Sequence, residues 1–265
     1  MRCAVLGSPI AHSLSPVMHR SAYAELGLDW TYDAIELGEE DLELFLKSLG
    51  DDVRGLSVTA PLKRRLVELV ELADDPILRV ANTVVVDDGN LRAYNTDVPG
   101  AVAALQERGI ESVSSARILG GGATASSLAY ALSQIGVRHL DIVVRDPSRA
   151  GEAVDVAEAS GLTVAVHTID EPLLDKVDLL VSTVPTDVIG SRSHELVEAS
   201  RAVFDVVYDP WPTTLMSAAT EAELPIVSGL DLLAHQAALQ IVLMTGESVS
   251  PQLLRDAAVA ELGAR

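Results

Sequence analysis

Two serines, Ser13 and Ser15, close the string Gly7-Ser8-Pro9-Ile10-Ala11-His12-Ser13-Leu14-Ser15-Pro16. The apolar run Cys3-Ala4-Val5-Leu6 before it reads as a buried strand, and the residues after it, through Leu26, carry helical apolar spacing. Ser15 directly precedes Pro16, the pattern of an N-cap with proline at the first helical position. Hydroxyls and amide donors therefore gather at a strand-to-helix junction, which suits a small anion, particularly a carboxylate. The same residues also suit a capped turn that holds no ligand.

A second concentration of chemistry lies at Gly120-Gly121-Gly122-Ala123-Thr124-Ala125, between a strand-like Arg117-Ile118-Leu119 and a helical stretch over 126–135. This fits G-x-G-x-x-[GA], with Gly120, Gly122 and Ala125 at the small positions. Glycine permits the tight turn and the approach of backbone to a pyrophosphate. The small third residue lets helix and strand pack closely, and the helix N-terminus attracts phosphate. Gly120, Gly121, Gly122, Ala123 and Thr124 are thus candidate contacts for a dinucleotide; a glycine turn chosen for geometry alone is the alternative. The next strand, Asp141-Ile142-Val143-Val144, ends in Arg145-Asp146-Pro147-Ser148-Arg149. Folds that take NAD usually set an acidic residue at this strand end, on the ribose diol. Here Arg145 and Arg149, with Ser148 beside them, suit the 2′-phosphate of NADP. Asp146 either weakens that preference or caps the following helix.

Lysine is scarce: of 19 cationic residues only Lys47, Lys63 and Lys176 are lysines. Lys63 follows Gly55-Leu56-Ser57-Val58-Thr59-Ala60-Pro61-Leu62, at the end of a strand and the start of a helix. Read by itself it is equally a solvated first-turn lysine.

These residues need a scaffold, and the composition supplies one. The chain has 265 residues, 48% of them hydrophobic, which describes a folded globule of one large or two modest domains, and the alternation of strand-like and helical runs along it argues for α/β architecture. Its net charge of −20 argues against nucleic acid or an acidic membrane as partner. Binding of anionic ligands then depends on local donors. Cys3 is the only cysteine, so no internal disulfide forms and a reducing cytoplasm is the expected location. No apolar run is long enough to span a bilayer, and the start lacks a secretion signal. No metal-binding pattern such as H-E-x-x-H occurs, so no metal is expected.

Strand-like runs near 2–6, 30–36, 55–58, 83–86 and 91–93 alternate with helical patterns, and Asp88-Gly89 marks a hairpin turn. A second unit opens with a helix over 98–108 and continues through strands at 116–119, 140–144, 177–182, 202–206 and 225–227 as a parallel βαβ series. The tail over 230–262 reads as two helices. The expected organisation is a first domain of residues 1–97 and 230–265, with a Rossmann-type domain of residues 98–229 between them.

The opening string resembles the N-terminal signature of the shikimate dehydrogenases, and further pieces follow in that family's order. Gly55 to Lys63 resembles its G-x-N-V-T-x-P-x-K stretch, with Ser57 in place of asparagine. Ala81-Asn82-Thr83 resembles its A-x-N-T turn, and Tyr94-Asn95-Thr96-Asp97 its D-N-T-D run. Arg145 to Arg149 resembles N-R-T-x-x-[RK], with Val144 for asparagine and Asp146 for threonine. Asp205-Val206-Val207-Tyr208-Asp209-Pro210, with Thr213 and Leu215, resembles D-x-V-Y-x-P-x-x-T-x-L. The helix after Gly229 resembles the family's helix bearing a substrate-binding glutamine, here Gln236, and Thr245-Gly246 keeps its end. Arg20 stands where asparagine is common, and reads as a surface-helix substitution.

The resemblance implies a reversible reduction of 3-dehydroshikimate to shikimate by NADPH, in the pathway to chorismate and the aromatic amino acids. It implies Lys63 as the acid/base, paired with Asp97. Ser13, Ser15 and Tyr208 would hold the substrate carboxylate, while Thr59, Asn82, Asp97 and Gln236 read its hydroxyls. Ser182 and Thr183 would lie along the cofactor's nicotinamide side, with Val206 and Gly229 flanking the ring. Asn82 is otherwise a turn former, and Asp97 an N-cap for the helix after it. The alternatives are a quinate/shikimate dehydrogenase using NAD, against which Ser15 speaks because quinate-active relatives tend to carry threonine there, and a non-catalytic dinucleotide-binding regulator, against which the retention of Lys63 and Asp97 speaks. A methylene-tetrahydrofolate dehydrogenase has similar architecture but no role for the serines. A monomer or homodimer is expected.

Overall fold

The apolar run after Met1 forms β1 (Arg2–Gly7), a strand buried on both faces. A computed structural model describes residues 1–172 and 175–264. After β1 come α1 (Ser15–Glu25), β2 (Thr31–Glu36), α2 (Glu39–Lys47), β3 (Val53–Val58), α3 (Lys63–Leu69), β4 (Thr83–Asp87), β5 (Asn90–Tyr94) and α4 (Asp97–Glu107). Next are β6 (Ser115–Leu119), α5 (Ala123–Gln134), β7 (His139–Val144), α6 (Gly151–Ala159), β8 (Thr163–Thr168) and β9 (Leu179–Ser182). The chain ends with α7 (Thr186–Ile189), α8 (Ser193–Glu198), β10 (Val203–Asp205), α9 (Thr214–Glu221), β11 (Ile226–Ser228), α10 (Gly229–Thr245) and α11 (Pro251–Ala264). None of the described helices is long and apolar enough to cross a membrane.

The contacts divide into two units, Met1–Gly100 with Leu233–Arg265, and Ala101–Leu232. In the first, a five-stranded sheet runs in the order β2-β1-β3-β4-β5. The strands β2, β1 and β3 are parallel, whereas β3, β4 and β5 are antiparallel. Alternation along β1 divides two layers of core. Ala4 and Leu6 join Leu42, Leu56, Leu62 and Val84 on one side, while Cys3 and Val5 join Ile10, Tyr23, Tyr32 and Met244 on the other. The β4–β5 hairpin closes through Asp88 and Gly89, both with positive φ (48° and 77°), as a two-residue loop of this twist requires. Arg20 stays at the surface and ties α1 to β2, its Nε donating to the Tyr32 carbonyl at 2.9 Å.

The second unit has an all-parallel six-stranded sheet in the order β11-β10-β9-β6-β7-β8. The order reverses between β6 and β9, the switch point where doubly wound folds bind ligands. The strand β8 has no counterpart in the sequence reading. It is an edge strand, and its Thr-Val-Ala-Val-His-Thr leaves most positions at least partly exposed, so no apolar run announces it.

One buried group makes the first unit acid-sensitive. His19 is fully buried, stacks on Tyr32 with ring centroids 4.0 Å apart, and places Nδ1 2.9 Å from the Ser15 carbonyl oxygen. That carbonyl only accepts, so Nδ1 carries the proton. Burial lowers the His19 pKa to about 4, outweighing the opposite pull of the Ser15 carbonyl. The unfolded chain therefore takes up a proton near pH 6.5 that the folded chain refuses. Stability is lost as the pH falls from about 6.5 toward 4, by about 3 kcal/mol in all. Urea unfolding across that range is expected to show a shallower fall for His19→Phe than for the parent. Parallel profiles would rule His19 out as the acid-sensitive group.

Candidate active site

Lys63 is the first residue of α3, half-buried at the end of the loop from β3. Its Nζ donates to Asp97 Oδ2 at 2.6 Å, and the two side chains are 11% and 8% exposed. A charge-assisted bond this short, largely withdrawn from water, fixes the ammonium in one place. Asp97 is free for that task because another residue caps α4. The Val98 amide donates to Asn95 Oδ1 at 3.1 Å, so Asn95 takes the capping role that the sequence also allowed Asp97. The other carboxylate oxygen, Oδ1, accepts from Asn82 Nδ2 at 2.9 Å.

The orientation of Asn82 is over-determined. Its Oδ1 accepts from the Thr96 amide (2.8 Å), Thr96 Oγ1 (3.1 Å) and Thr83 Oγ1 (3.0 Å), which turns Nδ2 toward Asp97 and toward Gln236 Oε1 at 3.2 Å. Backbone bonds hold the turn itself. The Ala81 amide donates to the Lys63 carbonyl (3.0 Å), the Asn82 amide to Tyr94 (3.0 Å) and the Val58 amide to Asn82 (2.7 Å). Gln236 is buried on α10, its Nε2 donating to the Leu233 carbonyl at 2.9 Å. A side chain on Gly100 would put its Cβ 3.0 Å from the Cβ of Gln236, so glycine there lets α4 come close to α10. Lys63, Asp97, Asn82 and Gln236 thus form one hydrogen-bonded cluster. It combines a localised ammonium with a carboxylate and amides, a set able to move a proton at an oxygen and to bind neighbouring hydroxyls.

Thr59 and the two serines sit at the same ends of adjacent parallel strands, β3 and β1. The Thr59 amide donates to the Leu6 carbonyl at 2.9 Å, and the Ser8 amide to Ala60 at 3.1 Å. Thr59 Cγ2 occupies the place of any Cβ on Gly7, at 2.5 Å. Ser13 is half-buried and Ser15 buried, the Ser15 amide donating to Ser13 Oγ at 3.3 Å. Ser15 is the first residue of α1 and makes no capping bond.

In the second unit the glycine loop lies at the switch point. Gly120 has φ +113°, and a Cβ there would fall 2.2 Å from Thr183 Oγ1. Thr183 in turn donates through its amide (2.9 Å) and hydroxyl (2.8 Å) to the Leu119 carbonyl. A Cβ on Gly121 would fall 2.5 Å from the Arg149 carbonyl oxygen, so the loop packs directly on the turn that carries the arginines. Gly122, at the start of α5, faces open space, and Ala123 and Thr124 form the first turn of that helix. A loop packed from behind and open in front, at a helix N-terminus, fits a pyrophosphate.

Arg145, Ser148 and Arg149 are exposed at the end of β7 and on the turn after it. Asp146 caps that turn, accepting from the Ser148 amide (3.0 Å) and hydroxyl (2.8 Å), and these bonds hold its carboxyl below the usual range. Ser182 is fully buried, its hydroxyl donating to the Val184 carbonyl at 3.5 Å, so it supports the site from beneath. Asp205 accepts from Thr213 Oγ1 at 2.6 Å and from the Val207 amide at 3.2 Å. It braces both ends of the loop that presents half-buried Tyr208. Val206 and Gly229 meet: a Cβ on Gly229 would lie 2.3 Å from the Val206 carbonyl oxygen.

Sequence reasoning missed Thr96 and Gln240 as parts of the cluster. Thr96 had no signal apart from its place before Asp97. Gln240 lies one helical turn beyond Gln236, and that spacing was its only signal.

Comparison with known proteins draws these observations together. A family model described as the shikimate dehydrogenase substrate binding domain matches residues 5–84. The NADP(+) shikimate dehydrogenase of Methanothermobacter thermautotrophicus is 32% identical, over 96% of this chain and 94% of its own. The crystal structure of the Mycobacterium tuberculosis shikimate dehydrogenase is similar with a TM-score of 0.89 at 34% identity, covering 98% of this chain and 99% of that one. The shikimate 5-dehydrogenase of Thermus thermophilus, solved in complex with NADP(H) and shikimate, has a TM-score of 0.82 at 31% identity over 98% of this chain and 99% of that one. With likeness of this extent across both units, the chain belongs to the shikimate dehydrogenase family.

Proposed function

We propose that the chain reduces 3-dehydroshikimate reversibly to shikimate with NADPH. The observation that carries this reading is the Lys63 ammonium held 2.6 Å from Asp97, which is itself braced by Asn82. Lys63 donates a proton to the oxygen of the ring ketone as it becomes an alkoxide, and accepts it back in the oxidative direction. Asp97 keeps the ammonium in position. Thr59, Asn82, Asp97 and Gln236 read the ring hydroxyls, and Ser13, Ser15 and Tyr208 hold the carboxylate. NADPH, when bound, supplies the hydride. Gly120, Gly121, Gly122, Ala123 and Thr124 would hold its pyrophosphate, and Arg145, Ser148 and Arg149 its 2′-phosphate. Thr183, Val206 and Gly229 would line its nicotinamide end, with Ser182 buried beneath them. Residues 1–97 and 230–265 act as the substrate part and residues 98–229 as the cofactor part.

The direct test follows absorbance of the reduced nicotinamide with shikimate or quinate, each with NADP or NAD. Shikimate with NADP is expected to be the best pair. No turnover with any pair would leave a cofactor-binding protein without this activity. Comparable turnover of quinate with NAD would favour the quinate-active alternative.

Replacing Ser13 and Ser15 together with alanine strips two donors from the substrate carboxylate, at about 1–3 kcal/mol for each unmet partner. Affinity for shikimate is expected to fall, with a smaller loss for an analogue lacking the carboxylate. Equal losses for both ligands would make the serines scaffold.

A further inference from the structure

Ser57 departs from the asparagine of the family stretch it resembles, and the structure supplies a partner for the change. The Tyr32 hydroxyl donates to Ser57 Oγ at 2.5 Å. Ser57 Oγ donates to Gln240 Oε1 at 2.8 Å, and Gln240 Nε2 donates to Thr83 Oγ1 at 2.9 Å and to the Asn82 carbonyl at 3.3 Å. Thr83 Oγ1 donates in turn to Asn82 Oδ1 at 3.0 Å. The chain of donors starts at the buried Tyr32 hydroxyl and reaches Asp97 through Asn82 Nδ2 at 2.9 Å.

Each intermediate group both accepts and donates, so the direction of one bond fixes the next. Because Ser57 receives the tyrosine proton, its own proton goes to Gln240. Because the glutamine oxygen is thereby occupied, its amide nitrogen faces Thr83. Because Thr83 receives that donor, its proton is left for Asn82 Oδ1 at 3.0 Å, the shorter of its two remaining contacts, with Thr96 Oγ1 at 3.4 Å. Tyr32, Ser57, Thr83, Asn82 and Gln240 are all buried, so water does not offer a substitute partner for a missing link.

We propose that Tyr32, Ser57 and Gln240 are positioning residues that hold Asn82 in the orientation the substrate site needs. The proposal rests on the reading of the preceding subsection for its effect on substrate, but not for its effect on Asn82. Burial keeps the Tyr32 hydroxyl protonated, its pKa pushed far above the ordinary tyrosine value, so the head of the chain remains a donor.

Two substitutions break the relay at separate points. Tyr32→Phe removes only the hydroxyl and keeps the ring that stacks on His19, while Gln240→Met keeps the length of the side chain. Each is expected to raise KM for shikimate by roughly tenfold while KM for NADP stays within about twofold. The double variant is expected to be no worse than the poorer single one, because links of one chain are not additive. In the free protein, hydrogen exchange of the ¹⁵N-labelled Asn82 side-chain amide should quicken by roughly tenfold in each variant, with the backbone amides of β1 unchanged.

Additive losses, or an Asn82 amide whose exchange does not change, would overturn the relay. Should the parent protein fail to turn over shikimate while the exchange still quickens, the functional reading fails and the relay stands. Should the parent turn over shikimate while both variants match it, the relay fails and the functional reading stands. Tyr32→Phe alone decides the matter by exchange if Gln240→Met does not fold.

Discussion

Replacing Lys63 with alanine is expected to lower kcat for shikimate oxidation by about 10²–10⁴-fold, the usual contribution of a positioned general acid/base, with little change in shikimate affinity. The expectation follows from where the charge sits. Lys63 starts a helix directly after β3, and Asp97 starts another directly after β5. Backbone bonds through Ala81 and Asn82 fix the two helix starts relative to one another. The ammonium is thus placed before substrate arrives, and its main work comes when negative charge grows on the ring oxygen. The substitution also leaves Asp97, 8% exposed, without its ammonium, and breaking a buried pair in this way typically costs about 3–5 kcal/mol. Turnover is therefore to be measured well below the thermal transition of the variant, with circular dichroism to establish folding. Near-parental kcat in folded protein would remove Lys63 from proton transfer. A large rise in the shikimate dissociation constant with kcat unchanged would make it a binding residue.

How far the sequence revealed this site depends on the kind of residue. Buried strands such as β1 are apolar on both faces, so they stand out as runs, and a glycine loop after such a run marks the dinucleotide site. The edge strand β8 lacks that contrast because solvent takes much of its surface. The choice between Asn95 and Asp97 as helix cap was not legible, since both residue types cap well and they lie two positions apart. Only the tertiary approach of Lys63 to Asp97 decides it. Gln240 was hidden for a related reason. A glutamine within a helix is ordinary until β3 and β4 bring Ser57 and Thr83 against it. Ser57 showed itself only as a departure from a motif, with its physical reason residing in Tyr32 and Gln240, 25 and 183 positions away. Local pattern thus exposes groups that act through chain neighbours, and misses those whose partners arrive through folding.

Replacing Arg145 and Arg149 together with alanine is expected to raise KM for NADP by at least about tenfold and to change KM for NAD far less. Charge-assisted hydrogen bonds contribute about 1.5–3 kcal/mol each, so losing even one at the 2′-phosphate reaches that factor. The geometry makes the substitution a clean one. Gly121 packs on the carbonyl of Arg149, not on its side chain, so shortening the side chain leaves the glycine loop supported. Both guanidiniums are exposed, as is the neighbouring Asp146, so their removal strands no buried charge. Asp146 sharpens the argument. Its carboxylate is committed to the Ser148 amide and hydroxyl, yet its negative charge remains beside the arginines. Asp146→Asn preserves an accepting oxygen for the cap and removes that charge, so it should lower KM for NADP. The protein's net charge of −20 adds a general repulsion for any phosphate, which the local arginines must overcome. That repulsion acts on both cofactors, whereas the 2′-phosphate belongs to one. Equal losses with NADP and NAD in the double variant would place the arginines on the shared pyrophosphate and refute their role in cofactor choice.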